Sequence, residues 1–166
     1  TKTCGACPNP NAMVLDGDVV HMLMSSGDWF HIDKVDYPLI EPYRWCKDGR
    51  GYVVARINGV AEKLHRFLLG APSEFEVDHI DLNPLNNIRA NLRLATRQQN
   101  SFNISPKKNN NTGFVGVSFD RTTNTASVML NGKKYWGGRH ATPIEAAKAR
   151  DSLAKCLHKD FAYLNF

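Results

Sequence analysis

The chain has little cysteine, no long apolar run and no strong compositional bias. Cysteine stands at four of 166 positions, Cys4, Cys7, Cys46 and Cys156. That density does not make the disulfide framework of a small secreted scaffold, and a reducing cytoplasm is the default expectation. The longest apolar runs, such as residues 67–70, end after four to six residues, short of the roughly 20 that a membrane-spanning helix needs. The first residues, Thr1-Lys2-Thr3-Cys4, carry no apolar stretch and do not read as a signal peptide. With 42% hydrophobic and 22% charged residues the chain also lacks the polar excess of a disordered protein. No internal repeat is apparent.

What is present is a charge gradient. Residues 1–62 carry a net −2, residues 63–104 a net +1 and residues 105–166 a net +6, giving +5 for the whole. The basic excess sits in the last third and points to a polyanion-binding module there.

Pattern and turn chemistry divide the chain into blocks that together read as an α+β protein. Residues 1–62 are β-rich. Residues 19–24 and 29–32 read as a hairpin around Ser25-Ser26-Gly27-Asp28, and Asn58-Gly59 is a two-residue hairpin signal. In residues 63–104 a short helix over 64–69 stops at Gly70, with Pro72 just after. A strand over 76–80, an Asn-rich loop over 81–91, a strand over 92–95 and a helix from Thr96 to about residue 102 follow. Residues 105–112, with Lys107, Lys108 and three consecutive asparagines, read as a linker. Residues 113–166 read β-β-β-α, with strands over 114–120, 126–130 and 134–138 and an Asn131-Gly132 turn. Thr142-Pro143-Ile144-Glu145 combines an N-cap, a first-turn proline and a capping-box glutamate. The helix it starts runs to about residue 158, with Ala146, Ala149, Leu153 and Leu157 as its apolar stripe. Cys46 and Cys156 read as buried small hydrophobes.

The residues with most chemistry are Asp78-His79, Asn91 and Asn100. A carboxylate beside an imidazole, with carboxamides 13 and 22 residues beyond Asp78, suits a hard cation and a base working together. Two oxygen donors completed by water and phosphate describe Mg²⁺-type chemistry, with Mn²⁺ as the alternative, and not structural zinc. Neighbouring strand residues face opposite ways, so Asp78 and His79 cooperate only where the chain turns. The plainer reading makes Asp78-His79 a turn dipeptide and the asparagines loop formers. His65 and Arg66 lie on the preceding short helix, where His65 serves packing or touches phosphate. Arg89, Arg93 and Arg97 surround the motif as phosphate-holding candidates or as a solvated basic face.

Leu64-His65-Arg66, Val77-Asp78-His79-Ile80-Asp81, Asn87, Asn91-Leu92-Arg93 and Asn100 together resemble the HNH endonuclease family, in its phage and homing branch. The final position is Asn where many members have His. The resemblance implies a ββα-metal core over residues 63–104 and hydrolysis of DNA phosphodiesters with one divalent cation, leaving 5′-phosphate and 3′-hydroxyl ends. By position His79 is the expected general base, Asp78 and Asn100 the expected metal ligands, and Asn91 the residue that pins the loop and helps orient His79. Residues 113–166 resemble the AP2 DNA-binding domain, through Gly113-Phe114-Val115-Gly116-Val117, Tyr135-Trp136-Gly137-Gly138, Thr142–Ala147 and Tyr163-Leu164-Asn165-Phe166. That likeness implies a three-stranded sheet on the major groove. Lys134 and Trp136 match DNA-contacting positions of plant members; Val115, Ser118 and Asn124 depart from the pattern, so no target sequence transfers. Lys107, Lys108, Arg121, Lys133, Lys134, Trp136 and Arg139 are the candidate contacts, with core packing as the other reading of Trp136.

Cys4-Gly5-Ala6-Cys7 has the spacing of half a zinc site. Cys46, His21 or His31 would complete it only by folding near, and a plain terminus is the simpler reading, because structural zinc needs four ligands. The combined expectation is a nuclease that nicks or cuts double-stranded DNA in a bacterial cytoplasm, encoded by a phage or mobile element. It engages no membrane and acts as monomer or homodimer. The rival is a sequence-specific DNA-binding regulator with an idle nuclease centre; an RNA-directed protein has less support.

Overall fold

The computed structural model describes residues 12–166, so Cys4 and Cys7 lie outside the described residues. The chain divides into two compact units, one ending at Thr96 and one running from Arg97 to Phe166. The boundary cuts the middle block of the sequence, and residues 97–104 belong to the second unit.

The first unit is assembled from small antiparallel sheets. Strands β1 (Met13–Asp16), β2 (Val19–Leu23) and β3 (Trp29–Asp33) form one in the order β1-β2-β3. Sequence reading missed β1, whose residues are all exposed and carry no alternation. The four-residue helix α1 (Tyr37–Ile40) tolerates Pro38 in its first turn, where no N–H is needed. Strands β4 (Trp45–Lys47), β5 (Val53–Ile57) and β6 (Val60–Lys63) form a second sheet. Asn58 and Gly59 join β5 to β6 with φ of 49° and 83°, the double left-handed turn that this dipeptide favours. Helix α2 (Leu64–Leu69) ends at Gly70, whose φ of 55° suits a residue without Cβ. The Arg66 guanidinium then bonds the carbonyls of Ala71, Pro72 and Phe75, fixing the loop that leads into β7 (Glu76–His79). β7 pairs with β8 (Leu92–Ala95). Phe30, Ile32, Val53 and Leu64 are at most 1% exposed at the centre of the core, and burying each contributes about 1.5–3 kcal/mol.

Trp45 fills this core while the next residue, Cys46, is exposed. The expectation of a buried Cys46 is therefore corrected, because the strand alternates. Cys156 is also exposed, on the outer side of the last helix.

The second unit opens with the four-residue helix α3 (Arg97–Asn100), shorter than expected. Residues 105–112, read as a linker, are ordered at their end. Asn110 Oδ1 accepts from the backbone and hydroxyl of Thr112 and from Gly113 N, and its amide donates to Phe114 O. Strands β9 (Val117–Asp120), β10 (Thr123–Leu130) and β11 (Lys133–His140) form a sheet in the order β11-β10-β9. The Asn131-Gly132 turn has φ of 52° and 72°. Helix α4 (Pro143–His158) begins with the full capping box of Thr142 and Glu145 and packs on the sheet. Its inward face is Ala146, Ala147, Arg150, Asp151, Ala154 and His158, rotated from the expected stripe; Ala149, Leu153 and Leu157 are half-buried flanks. Most of the buried polar atoms here are partnered, although Arg150 Nε and His158 Nδ1 are not. Asp151 receives the backbone N–H of Asn165 and Phe166 and the Asn165 amide. Asn165 Oδ1 accepts from Val115 N, so the tail is tied both to α4 and to the segment that leads into β9. Arg150 donates to Tyr163 O, and His158 bonds Met129 O.

Among the described residues no helix is long and apolar enough to cross a membrane.

Candidate functional site

β7 carries Asp78 and His79 to the point where the strand ends and the chain turns back, with Leu82 N bonding His79 O. Asp78 pairs with Arg93 and His79 with Leu92 across the two-stranded ladder. Both side chains are buried, at 4% and 6% exposure.

The loop from residue 80 to 91 is held by its own carboxamides. Asn91 Oδ1 accepts from Asp81 N at 3.0 Å, and its amide donates to Asp81 Oδ1 and Asn86 O, each at 2.8 Å. Asp81 also receives Asn83 N and the Asn86 amide. Burial works to raise the Asp81 carboxyl, but these hydrogen bonds outweigh it and hold the group below the usual carboxylate range. Asn91 thus sits where loop pinning, its expected part, is geometrically natural.

Asn87 is the residue that sequence reading left without a role. It is fully buried, and its amide donates to Pro84 O at 3.2 Å. That fixes the carboxamide orientation and turns Oδ1 toward His79 Nε2 at 3.3 Å. An oxygen there accepts, so Nε2 carries the ring proton and Nδ1 the lone pair. Burial pushes His79 below the ordinary imidazole range, opposed by the Asn87 hydrogen bond and by the charges of Asp81 and Asp78. The ring is therefore neutral at neutral pH. The signal for Asn87 was present in the Asn-rich loop, but a loop asparagine and a buried one look alike in sequence.

His79 also lies against His65, ring centroids 5.0 Å apart at 83°. Tyr52 stands 5.1 Å from His65 and 6.0 Å from His79. His65 is buried, and its Nδ1 has no hydrogen-bond partner. Burial, then the neighbouring His79, pushes its pKa down to about 3. The packing role expected for His65 is thus packing onto His79 itself.

The β-rich block contributes the other wall. His31 N donates to Leu85 O and Asn87 N to His31 O, both at 2.8 Å, so β3 is bonded edge-on to the loop. Arg89 makes two hydrogen bonds of 2.8 Å to buried Asp36, and its backbone N–H bonds Asp33. Arg93 places Nε and Nη2 at 2.8 and 2.6 Å from Asp78 Oδ2. Two expected phosphate-binding arginines therefore have their guanidinium groups in ion pairs, whereas Arg97 is exposed.

The structure brings together Asp78, His79, Asn91, Asn87 and His65 in the first unit, while Asn100 ends α3 in the second. The family profile described as HNH endonuclease matches residues 69–102, the stretch holding all of these groups but His65. An uncharacterized HNH endonuclease of Acanthamoeba polyphaga mimivirus is 35% identical over 162 residues, covering 92% of this chain and 83% of that protein. The chain belongs to the HNH endonuclease family. Protein 3.8 of Escherichia phage T7 is 39% identical over 66 residues, 39% of this chain and 54% of that protein. No solved structure matches. The expected nuclease class is thereby supported for this HNH chain.

HNH nucleases generally use a divalent metal. Among the described residues no group of three or more His, Cys, Asp and Glu side chains could hold one. The donors fit a hard cation held by few protein oxygens, with water and phosphate supplying the rest; Arg93 contends for the same Asp78 oxygen.

The second unit carries a distinct face. Directly opposite residues of paired strands share a side. Met129 faces Lys134, Ser127 faces Trp136 and Thr125 faces Arg139. A bulge between the last two pairs keeps Arg139 on the side of Lys134 and Trp136. Ala126 and Val128, on the other parity, are buried under α4. Trp136 is 56% exposed, so its expected alternative, core packing, does not hold. Lys133 pairs with Leu130, on the helix-side parity. Arg121, Lys107 and Lys108 are exposed outside the strands.

Proposed function

We propose that this HNH chain is a divalent-metal-dependent endonuclease that hydrolyses phosphodiester bonds of double-stranded DNA. The observation that carries the reading is the His79 ring, buried beside Asp78 and oriented through Asn87. His79 Nδ1 takes the proton from the attacking water, and Nε2 stays bonded to Asn87, so the ring remains aligned as it becomes cationic. Asp78 is the ligand the first unit offers to the cation; Asn100 is the second, retained on the order and spacing of the motif alone. When bound, Mg²⁺ or Mn²⁺ supplies the positive charge that offsets the charge developing on the leaving oxygen. Asn91 keeps the loop closed behind the base. The products are 5′-phosphate and 3′-hydroxyl ends.

The second unit is proposed as the AP2-like target reader, a three-stranded sheet with one helix behind it. Lys134, Trp136 and Arg139 supply its DNA face, with Arg121, Lys133, Lys107, Lys108 and Arg97 as flanking cations. A phage or mobile-element source and a monomer or homodimer are compatible with this reading.

One observation favours a second reading, a DNA-binding regulator with an idle centre: the Arg93 guanidinium occupies the Asp78 carboxylate. Plasmid nicking with Mg²⁺ and with EDTA decides. The nuclease reading expects nicking that EDTA abolishes and that His79→Ala lowers by about 10²–10⁴-fold with DNA binding retained. Unchanged nicking by His79→Ala overturns it.

A further inference from the structure

The nuclease chemistry leaves one cation beside the histidine cluster unused. It is Lys63, the last residue of β6 and the one before α2. Val54 of β5 is directly opposite Lys63, and Cys46 of β4 is opposite Val54. Trp45, Val53 and Ala55, on the other parity, are buried in the core. Val54 and Lys63 therefore share the outer face of the second sheet. Tyr52 lies two residues before Val54, on the same parity, and is a diagonal neighbour of Lys63. Lys63 Nζ stands 4.6 Å from the centroid of the Tyr52 ring. The same ring is 5.1 Å from His65 and 6.0 Å from His79. The ammonium is thus one aromatic ring away from the proposed base.

The arginines that border the motif are engaged within the protein. Arg66 bonds the carbonyls of Ala71, Pro72 and Phe75, Arg89 bonds Asp36 and Arg93 bonds Asp78. Lys63 differs. Among the described residues its ammonium makes no hydrogen bond or ion pair, and it rests on the Tyr52 face. The nearby carboxylates do not take it. Asp48 Oδ1 accepts from the backbone N–H of Arg50 and Tyr52, and Glu62, opposite Ala55, has the other parity. A cation over a ring keeps N–H donors for an anion. The Lys63 charge also reaches the cluster: after burial and His79, it is the next cause that lowers His65. The turn that carries Tyr52 abuts the loop over residues 80–91, since a Cβ on Gly51 would lie 3.6 Å from Pro84 Cγ.

We propose that Lys63 is a substrate-binding residue of the nuclease centre that holds a DNA backbone phosphate beside the scissile bond, with Tyr52 as the positioning residue that seats its ammonium. This rests on the reading of His79 as the base. The attacking water must lie within hydrogen-bond reach of that ring, which brings the phosphate backbone to this wall. An ammonium is a point charge that meets phosphate oxygens without a fixed fork geometry. Such a contact carries no base information. The phosphate it holds is not the one that reacts, so the interaction is equal in ground state and transition state and shows in KM.

The test uses the full chain and duplex DNA. Affinity is read by fluorescence anisotropy over a salt series in EDTA, where no cleavage is needed. Lys63→Met should lower the slope of log K against log salt by about 0.9, one phosphate's share, and Lys63→Arg should restore it. Tyr52→Leu should reproduce the loss and Tyr52→Phe, which keeps the ring, should bring the slope back. Lys155→Met, on the exposed side of α4, should leave the slope as in the wild type. In plasmid nicking with Mg²⁺, Lys63→Met should raise KM by about five- to tenfold, with kcat within about twofold. A slope unaltered by Lys63→Met, the same loss in Lys155→Met, or a lowered kcat with KM unchanged overturns the proposal. A wild-type chain that never nicks refutes the nuclease reading, and the slope then decides on Lys63 by itself. The Lys63 variants decide alone if Tyr52→Leu does not fold.

Discussion

At the scale of single residues, the imidazole chemistry proposed for His79 turns on Asn87, which bonds its Nε2. Asn87→Leu keeps the volume but removes the acceptor, leaving Nε2–H unpaired in a buried place. The expected outcome is a kcat lowered by about 10-fold to 100-fold with KM little changed, as befits a positioning residue. Its hydrogen bond works to raise the His79 pKa. Its loss should therefore move the acid limb of the pH–rate profile to lower pH, which a merely structural lesion would not do. Steady-state rates across pH check both. His65 makes a separate stability prediction. Its pKa falls from 6.5 to about 3 on folding, so the unfolded chain binds the proton more readily. The stabilisation is fully present above 6.5 and is lost as pH falls toward 3, an effect on the order of a few kcal/mol. Urea unfolding of the wild type should show this acid-side loss, and His65→Phe should flatten it.

At the scale of elements, what was legible depended on whether local chemistry decided the outcome. The Asn58-Gly59 and Asn131-Gly132 turns, the Gly70 stop and the Thr142 capping box were readable because backbone sterics and caps act within a few residues. Strand β1 was not, since its all-exposed residues have no alternation. The inward face of α4 was misplaced because Arg150, Asp151 and His158 are buried through bonds to the tail and to Met129, partners far away in sequence. The candidate site shows the same division. Asp78, His79, Asn91 and Asn100 were visible as a spaced motif. Asn87 against His79, Arg93 on Asp78 and Arg89 on Asp36 were not, because each pairing is made by tertiary structure. The Arg89–Asp36 clamp joins the turn after β3 to the loop over residues 80–91. Asp36→Ala should cost about 1–2 kcal/mol in first-unit stability, discounted for the half-exposed guanidinium, and should lower kcat through a looser loop. Chemical denaturation and single-turnover cleavage measure the two. In the second unit Gly116 has φ of 71°, and a Cβ there would lie 2.5 Å from Ser127 O. Gly116→Ala should therefore destabilise that unit by several kcal/mol, seen as a lowered Tm.

At the scale of the molecule, charge and chemistry are divided between the units. The first holds the groups proposed for hydrolysis except Asn100, and the basic excess of the sequence lies after residue 104. If the outer sheet face binds DNA, its cations act through counterion release, which sets the salt dependence of affinity. Each phosphate neutralised contributes a slope of about 0.9 in log K against log salt. Lys134 and Arg139 share the Trp136 side of the sheet, whereas Lys133 has the opposite parity. The double variant Lys134→Ala with Arg139→Ala should therefore weaken DNA binding at every sequence tested and reduce the slope by about 2. Lys133→Ala alone should change the slope by less than one phosphate's share. Trp136→Ala should lower affinity while leaving the slope unchanged, since an apolar contact releases no counterion. Fluorescence anisotropy over a salt series with duplex DNA reads all three. A slope unaltered in the Lys134/Arg139 variant would mean that the sheet face does not meet the phosphates, and the basic residues outside the strands would then have to carry the contact.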